Sequence, residues 1–226
     1  MANTHNIGFI GGGMISQVAH LPFYARDNRI NIKSIAEPRP SLKNVLATRF
    51  KIDEIYDHHS CVINDPSIDT VVIIAPRPTT GPLVLQALEA GKTVITEKPV
   101  AHTTEQITNL IDAISHNGQC FHVGYMKRYD CGIVRAKKVF SDLLASKCLG
   151  ELLHVNFFNY AKHYAYPIPE HVRPSESRAS RLETWPISPQ WLPHHQRGLF
   201  EWHLNSGIHD INLIRYFFGN ELDVVN

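Results

Sequence analysis

The first residues that suggest chemistry are a run of glycines and one glutamate. The glycines at 11–13 directly follow the apolar run 7–10, and Glu37 lies 21 positions after Ser16. A glycine turn of this kind lets a pyrophosphate approach the backbone at the start of a helix, and the acidic side chain binds a ribose hydroxyl. The spacing predicts a dinucleotide site, with Ser16 in the place of the usual third Gly or Ala.

The elements that must position these residues alternate between strand and helix patterns. Continuous apolar runs such as residues 70–75 indicate strands buried on both faces, and the segments between them show helical spacing. The predicted strands are residues 7–10, 30–36, 70–75, 93–96 and 120–123, and the predicted helices include 40–50, 83–90 and 105–116. This order predicts an α/β fold with a doubly wound parallel sheet, in which ligands bind beyond the carboxyl ends of the strands.

Lys98 follows one of these strands, in the sequence Glu97-Lys98-Pro99. From that position its amine can reach the nicotinamide end of a bound dinucleotide, where it would donate a hydrogen bond to a substrate hydroxyl or exchange a proton with it. Partial burial and a neighbouring cation lower a lysine pKa toward neutrality, which suits proton exchange. A surface lysine paired with Glu97 gives the same sequence pattern, so both interpretations stay open.

Composition and charge argue against several classes of protein. The chain has 226 residues, 43% of them hydrophobic, and a formal net charge of +1 without a long basic run, which argues against nucleic-acid binding. No apolar stretch approaches about 18 residues and no signal pattern is visible, so we expect a cytoplasmic protein without a membrane partner. The cysteines lack Cys-x-x-Cys spacing, and we expect reduced thiols with Cys120 buried. We expect no metal at the pairs His58-His59 and His194-His195.

Several segments together resemble the Gfo/Idh/MocA family of NAD(P)-dependent oxidoreductases. They are the glycines at 11–13, Ala75-Pro76, residues 87–94, Glu97-Lys98-Pro99, residues 124–130 and 149–151, and Gly207-Ile208-His209. The resemblance covers nearly the whole chain and implies an N-terminal Rossmann domain at residues 1–124 with an incomplete C-terminal α+β domain at 125–226. It also implies hydride transfer between NAD, or alternatively NADP, and a hydroxyl carbon of a sugar, cyclitol or related polyol. A homo-oligomer would form through the C-terminal sheet when that sheet is complete.

The resemblance assigns roles to individual residues. Lys98 and His209 would be catalytic, and His209 would take the proton as hydride leaves the carbon, a role that suits the pKa of histidine. The implied cofactor-binding residues are Gly11, Gly13, Met14, Ile15, Glu37, Arg39, Pro76, Glu97 and Lys98. The implied substrate-binding residues are Lys98, Tyr125, Lys127, Arg128, Asn205 and His209.

The sequence departs from the family pattern at several positions. Asn205 and Asn212 stand where Asp is common, and Asn cannot carry the negative charge that would raise the pKa of His209. Residues 79–82, Thr-Thr-Gly-Pro, replace a turn that often carries a histidine in the family.

The chain is also shorter than family members usually are. This favours a fragment, with completion by a second polypeptide and loss of the domain as the alternatives. The first strand of the C-terminal sheet is predicted at residues 152–160 and the start of a second at 221–226. Between them, residues 161–198 show little periodicity and predict a long loop, which either closes over the site as a lid or lies at the periphery.

Cofactor choice and function keep alternatives at this point. Glu37 favours NAD because its charge repels a 2′-phosphate, whereas Arg39 would accommodate that phosphate. One alternative function is a non-catalytic dinucleotide-binding fragment or subunit, suggested by Asn205 and the shortened sheet. The other is an NAD-dependent glycosidase-like relative, which keeps its cofactor bound and shows no net change in nicotinamide absorbance during turnover.

Overall fold

A computed structural model describes residues 4–147, 150–158, 171–176 and 182–219 of the chain. The chain forms two compact units, Met1–Val123 with Tyr166–Pro193, and Gly124–Ala165 with His194–Asn226. The first change of unit lies next to the boundary predicted at residues 124 and 125. The predicted domain 125–226 differs from the second unit in one respect, because Tyr166–Pro193 belong to the first unit.

The first unit is built on a six-stranded sheet. Its strands are β1 (His5–Ile10), β2 (Ile30–Ala36), β3 (Glu54–Tyr56), β4 (Thr70–Ile73), β5 (Thr93–Glu97) and β6 (Phe121–Gly124). The order is β3-β2-β1-β4-β5-β6, and the pairs β1 with β2, β1 with β4, β2 with β3 and β4 with β5 are parallel. The order reverses between β1 and β4, where such sheets open a crevice for ligands. The predicted doubly wound α/β fold is confirmed.

Helices connect the strands of this sheet. They are α1 (Leu21–Tyr24), α2 (Pro40–Phe50), α3 (His59–Ile63), α4 (Arg77–Glu89) and α5 (Thr104–Asn117), and a π-helical segment, Ser16–His20, precedes α1. Local capping explains the ends of α5. Thr103 Oγ1 accepts a hydrogen bond from the Gln106 N–H at 3.4 Å, and Gly118 ends the helix with a φ of +63°.

Alternation along β4 divides the core into two clusters. Val71 and Ile73 pack in one cluster with Val84, whereas Val72 packs in the other with Phe9. This division arises because successive side chains of a strand point to opposite faces of the sheet. All five side chains are fully buried. The central strand is therefore covered on both faces, as its continuous apolar run predicts.

A later segment of the chain also packs on the first unit. We call its described residues, 171–176 and 182–193, the strap. The Gln17 side chain donates to the Val172 carbonyl at 3.2 Å and accepts from the Val172 N–H at 2.9 Å. These two bonds fix the beginning of the strap beside the residues that follow β1.

The second part of the strap packs against α4 and α5. The Trp185 N–H donates to the Pro78 carbonyl at 2.7 Å, and its ring covers Gly81, where any Cβ would overlap it. The Gln106 side chain donates to the Pro186 carbonyl at 2.9 Å. The prediction of a loop at 161–198 is wrong for its last residues, because a helix begins at His194. Its residues 161–170 and 177–181 lie outside the described residues.

The described residues of the second unit are mainly helical. They form a 3-10 turn (Met126–Tyr129), α6 (Cys131–Ala145), α7 (His194–Trp202), a π-helical segment (His203–Gly207) and α8 (Ile208–Phe218). Phe140 of α6 packs against Phe217 and Phe218, with ring centroids 6.0 and 5.4 Å apart. Lys137 Nζ donates to the Phe217 carbonyl at 2.8 Å. These contacts join α6 to α8.

The strand predicted at residues 152–160 is wrong for its described part. Residues 152–158 have no regular secondary structure, and Leu153 and Phe158 are 89% and 76% exposed. A strand needs a hydrogen-bonded neighbour, and the described part of the second unit offers no other strand for pairing. Residues 159–160 and the second strand predicted from 221–226 lie outside the described residues.

The buried position predicted for Cys120 is also wrong. Cys61, Cys120 and Cys131 are exposed free thiols. Cys120 directly precedes β6, the edge strand of the sheet, so a neighbouring strand covers it on one side only. Cys148 lies outside the described residues.

Candidate functional site

The glycine turn after β1 can be built only with glycine at its first position. Gly11 has a φ of +95°, which L side chains rarely adopt, and a Cβ there would overlap the carbonyl oxygen of Ile74. The Gly11 N–H donates to the Ala36 carbonyl at 2.9 Å. The turn therefore lies close against the ends of β2 and β4, and it presents bare backbone at the crevice.

Ser16 replaces the expected third glycine of the motif without leaving a polar group unsatisfied. Its side chain is fully buried, and its hydroxyl donates back to the Gly11 carbonyl at 2.6 Å. The next residue, Gln17, donates from its side chain to the Gly12 carbonyl at 2.9 Å. The side chains of Ser16 and Gln17 thus fix the glycine turn through hydrogen bonds to its carbonyl groups. Met14 and Ile15 are each 37% exposed.

Glu37, the predicted ribose ligand, forms a buried ion pair with Arg39. Arg39 Nε donates to Glu37 Oε1 and Arg39 Nη2 donates to Oε2, both at 2.7 Å. The Arg39 N–H also donates to Oε1 at 3.0 Å, and the Gly12 N–H donates to Oε2 at 2.9 Å. The Glu37 side chain is fully buried and that of Arg39 is 8% exposed.

These four hydrogen bonds keep the Glu37 carboxylate charged. Burial raises the pKa of Glu37, but the hydrogen bonds from Arg39 and Gly12 outweigh burial, and the pKa lies below its usual value. Two donors at each oxygen fill the lone pairs of the carboxylate. In this conformation the Glu37 carboxylate accepts a hydrogen bond from the glycine turn. A ribose hydroxyl would bind this carboxylate only if Arg39 moved away.

A cavity of about 450 Å³ opens at the carboxyl ends of the strands. It brings together the predicted cofactor-binding residues Gly11, Gly13, Glu37, Arg39 and Pro76. The other residues predicted to bind cofactor, Met14, Ile15, Glu97 and Lys98, lie outside its lining. The cavity therefore unites the residues that follow β1, β2 and β4, at the point where the strand order reverses.

The cavity also contains residues that follow β3 and that were not predicted as binding residues from the sequence. Asp57, His58 and His59 line the cavity, together with Leu182 of the strap. His59 Nε2 lies 3.1 Å from the side-chain oxygen of Gln86, and burial lowers the pKa of His59 against the effect of that hydrogen bond. The available signal was the position of Asp57 directly after a short strand, where this fold places its binding residues.

Lys98 directly follows β5 and is half-buried. Burial, with the charge of Arg77 adding to it, lowers the pKa of Lys98 below its ordinary value, although Glu97 opposes the shift. Glu97 has another partner, because its Oε1 lies 3.0 Å from Nε2 of His20. Lys98 is thus a half-buried lysine with a lowered pKa, and not a fully exposed surface lysine.

A buried histidine lies in the same electrostatic cluster. His102 is 5% exposed, and burial, followed by the charge of Arg77, lowers its pKa to about 4. Its Nε2 accepts or donates no hydrogen bond among the described residues. Its backbone N–H donates to the Gln106 side chain at 2.8 Å. Arg77 thus acts on both Lys98 and His102, and it favours their neutral forms.

In the second unit, the predicted substrate-binding residue Arg128 contacts Asn212 and Tyr216, and its charge acts on Tyr125. Arg128 Nε donates to Asn212 Oδ1 at 2.6 Å, and its guanidinium lies 5.3 Å from the centroid of the Tyr216 ring. Burial raises the pKa of Tyr125, with Arg215 and Arg128 opposing the shift. The Asn212 amide oxygen, where the family commonly has Asp, accepts from Arg128. Lys127 lies in the same turn as Arg128.

His209 and Asn205 lie in different helical segments. His209 is 8% exposed, in the first turn of α8. Asn205 is exposed, in the π-helical segment His203–Gly207. A wider turn with i→i+5 hydrogen bonds therefore comes directly before α8. Such turns occur frequently at functional sites.

The described residues contain neither a metal-binding cluster nor a membrane-spanning helix. Within residues 4–147, 150–158, 171–176 and 182–219, no three histidine, cysteine or acidic side chains lie close enough to hold a metal ion. Among the helices of these residues, none is both long enough and apolar enough to cross a membrane.

Known proteins resemble this chain in sequence and in fold. The inositol 2-dehydrogenase of Acidothermus cellulolyticus is 30% identical over 152 residues, which cover 66% of this chain and 45% of that protein. The inositol 2-dehydrogenase of Salmonella typhimurium is 25% identical over 226 residues, covering 98% of this chain and 60% of that protein. The chain spans about half the length of the curated relatives it matches.

Solved structures show the same fold. The apo scyllo-inositol dehydrogenase from Lactobacillus casei superposes with a TM-score of 0.68 at 20% identity, over 98% of this chain and 57% of that chain. GenD2 from gentamicin A biosynthesis, in complex with NAD, superposes with a TM-score of 0.60 at 26% identity, over 64% of this chain and 41% of that chain. Residues 5–125 match the Gfo/Idh/MocA oxidoreductase family, described by its NAD-binding Rossmann fold. The chain therefore belongs to the Gfo/Idh/MocA family of oxidoreductases.

Proposed function

We propose that the chain functions as an NAD(P)-dependent oxidoreductase that acts on a hydroxyl carbon of a sugar, cyclitol or related polyol, with NAD as its cofactor. The observation that carries the proposal is the glycine turn, whose residues Gly11 and Gly13 line a cavity in an NAD-binding Rossmann fold. Relatives named as inositol 2-dehydrogenase and levoglucosan dehydrogenase support the class of substrate.

The residues of the cavity fit a dinucleotide. A Cβ at Gly11 would overlap the Ile74 carbonyl oxygen, so the turn needs glycine to lie against the end of β4. Gly11 and Gly13 line the cavity, where a pyrophosphate would approach their backbone. Gly11 and Gly13 would hold the pyrophosphate, and Glu37 with Arg39 would flank the adenosine ribose. Met14, Ile15, Pro76 and Glu97 complete the proposed cofactor-binding set. The nicotinamide ring, when bound, supplies a hydride acceptor or donor at its C4 carbon.

Lys98 and His209 are the proposed proton-handling residues. Oxidation of a CH–OH group removes a hydride from carbon and a proton from oxygen, so a base must accept that proton. The lowered pKa of Lys98 increases the fraction of neutral amine near neutral pH, which allows the amine to accept a proton or donate a hydrogen bond. His209 would serve as the general acid/base, and Tyr125, Lys127, Arg128 and Asn205 would bind substrate hydroxyls.

A non-catalytic dinucleotide-binding role is the second candidate. Asn205 favours it, because an amide cannot supply the negative charge that assists a catalytic histidine. The two functions differ in one measurable respect, since both predict NAD binding and only the first predicts a change in nicotinamide absorbance with a polyol.

The proposal extends to the assembly and location of the protein. We propose a cytoplasmic homo-oligomer that forms through the second unit. The large exposed side chains of Leu153 and Phe158 support this assembly, because a partner subunit would bury them.

The testing experiment is a titration of the purified chain with NAD and NADP, followed by a polyol assay. Thermal unfolding would be followed at a ligand concentration of about 100 times the dissociation constant, where binding stabilises the fold by roughly 2.7 kcal/mol. Nicotinamide absorbance would then be followed with myo-inositol, scyllo-inositol and simple sugars. Stabilisation with turnover supports the oxidoreductase, stabilisation without turnover supports the binding role, and no stabilisation of a cooperatively folded chain contradicts both.

A further inference from the structure

The strap places an acidic side chain at the start of α2. The Ser41 N–H donates to Glu176 Oε1 at 2.9 Å, and the Ser41 hydroxyl donates to Glu176 Oε2. These bonds join residues separated by 135 positions. The Ser41 bonds also lower the pKa of Glu176 from its ordinary value. A negative charge from outside the helix therefore lies at its first turn.

Glu176 takes the one N–H of this turn that the helix does not use itself. Pro40, the first residue of α2, has no N–H to donate. The N–H groups of Leu42 and Lys43 both donate to the Arg39 carbonyl, at 3.1 and 3.3 Å. Ser41 is thus the residue whose backbone and side-chain donors point outward, and both bind Glu176.

The position of this turn relates it to cofactor choice. In this fold the acidic residue after β2 marks the ribose 2′ position, and a 2′-phosphate is accommodated by cationic groups beside it. Here that acidic residue is Glu37, and α2 begins three residues later at Pro40. A helix N-terminus with free N–H groups attracts a phosphate through its dipole and its donors. Ser41 and Arg39 are therefore the groups that a 2′-phosphate would use.

Both groups already bind carboxylates. Arg39 holds both oxygens of Glu37, and Ser41 holds both oxygens of Glu176. A 2′-phosphate that used the donors of Ser41 would have to displace Glu176 and would be repelled by its negative charge. The 2′-hydroxyl of NAD carries no charge and meets no such repulsion.

We propose that Glu176 is a specificity-determining residue that excludes NADP by occupying the donors of Ser41. This inference rests on the proposed function, since it concerns which cofactor the site accepts. Glu176 acts from a segment far along the chain, so selection against NADP does not depend on Glu37 alone.

The test compares the dissociation constants of NAD and NADP for the full chain and three variants. Glu176→Gln keeps an acceptor for Ser41 and removes the charge, whereas Glu176→Ala removes both. Glu183→Gln, an exposed glutamate of the same strap, is the matched control for loss of one negative charge. We expect both Glu176 variants to bind NADP about tenfold more tightly than the wild type and to bind NAD within about twofold of it. The control should keep the wild-type ratio of the two constants.

The outcomes separate the inference from the function on which it rests. A wild type that binds NAD, with an unchanged ratio of constants in both Glu176 variants, overturns the role of Glu176 and leaves the proposed function standing. The role is equally overturned if Glu183→Gln shifts the ratio as much as the Glu176 variants do. A folded wild type that binds neither nucleotide overturns the proposed function and the inference with it. NAD binding by each variant shows that it has folded.

Discussion

The guanidinium of Arg39 holds both carboxylate oxygens of Glu37 at 2.7 Å, and this ion pair lies buried beneath the glycine turn. A pair two residues apart in sequence thus spans the turn between β2 and α2. The Gly12 N–H adds a further bond to Glu37, so the pair also fixes the loop that follows β1.

We predict that Arg39→Met lowers the free energy of unfolding by about 3–5 kcal/mol, because it leaves the Glu37 carboxylate buried without its cation. The double variant Glu37→Gln with Arg39→Met should recover most of that loss, since no buried charge remains. Urea denaturation of the wild type, both single variants and the double variant measures the coupling. Additive losses would show that the two side chains do not stabilise each other.

Replacing Gly11 with alanine should damage both folding and nucleotide binding. The left-handed backbone costs about 1–2 kcal/mol for a non-glycine residue, and the overlap with the Ile74 carbonyl adds to that cost. We expect a lower unfolding midpoint and no further stabilisation by NAD. Gly198→Ala is the control, because a Cβ there meets no atom within 4 Å and lies in helix α7. Its midpoint should stay level or rise, and an equal loss in both variants would contradict the steric argument.

Removal of the Lys98 amine should reduce turnover far more than cofactor binding. Lys98→Met keeps the length of the side chain and is expected to lower kcat/KM by about 10²–10⁴-fold, the usual contribution of a proton-transfer group. In the oxidative direction the neutral amine accepts the proton, so the wild-type rate should rise through a pKa below 10.5, and this limb should be absent from the variant. Lys51→Met, at an exposed lysine, should leave both the rate and its pH dependence unchanged.

His102 should make the fold sensitive to acid. Its pKa is about 4 in the folded chain against an ordinary 6.5, so the unfolded chain binds the extra proton between these values. Protonation of His102 does not reduce the free energy of unfolding above pH 6.5. As the pH decreases from there to the folded pKa, the free energy of unfolding falls by roughly 3 kcal/mol.

Urea denaturation between pH 7 and pH 4 measures this effect. His102→Leu removes the titrating group and should flatten the dependence on pH in that range. His195→Leu is the same change at an exposed histidine and should keep the wild-type slope. A slope that survives in His102→Leu would assign the acid sensitivity to other groups.

The sheet was predictable because its central strands are buried on both faces. Runs such as residues 70–75 need apolar residues at every position, which makes the pattern continuous and visible in sequence. β3 was missed since it has only the residues Glu54–Tyr56, each of them half-buried. The cavity residues Asp57 and His59, which follow it, were missed with it.

The remaining parts of the site depend on bonds between distant segments, and these leave no local pattern. The types of Glu37 and Arg39 suggested opposite cofactor preferences, yet their mutual pairing depends on the conformation of the turn between them. Glu176 contacts Ser41 from a segment without periodicity, so nothing in either local sequence predicts the contact. The strand predicted at 152–160 failed for the same reason, because an apolar run forms a strand only when another strand lies beside it to share hydrogen bonds.

The strap also has a consequence for the order in which the nucleotide-binding half can be completed during synthesis. Gln17 leaves the ribosome 155 residues before Val172, so the bonds between them close only after every strand of the sheet has been made. A chain truncated after residue 125 would keep all six strands and the whole region that matches the family. It would nevertheless remove the two hydrogen bonds between Gln17 and Val172, and it would leave Gly81 without the ring of Trp185. The portion that packs together as one compact unit is therefore longer than the portion of that unit that matches the family.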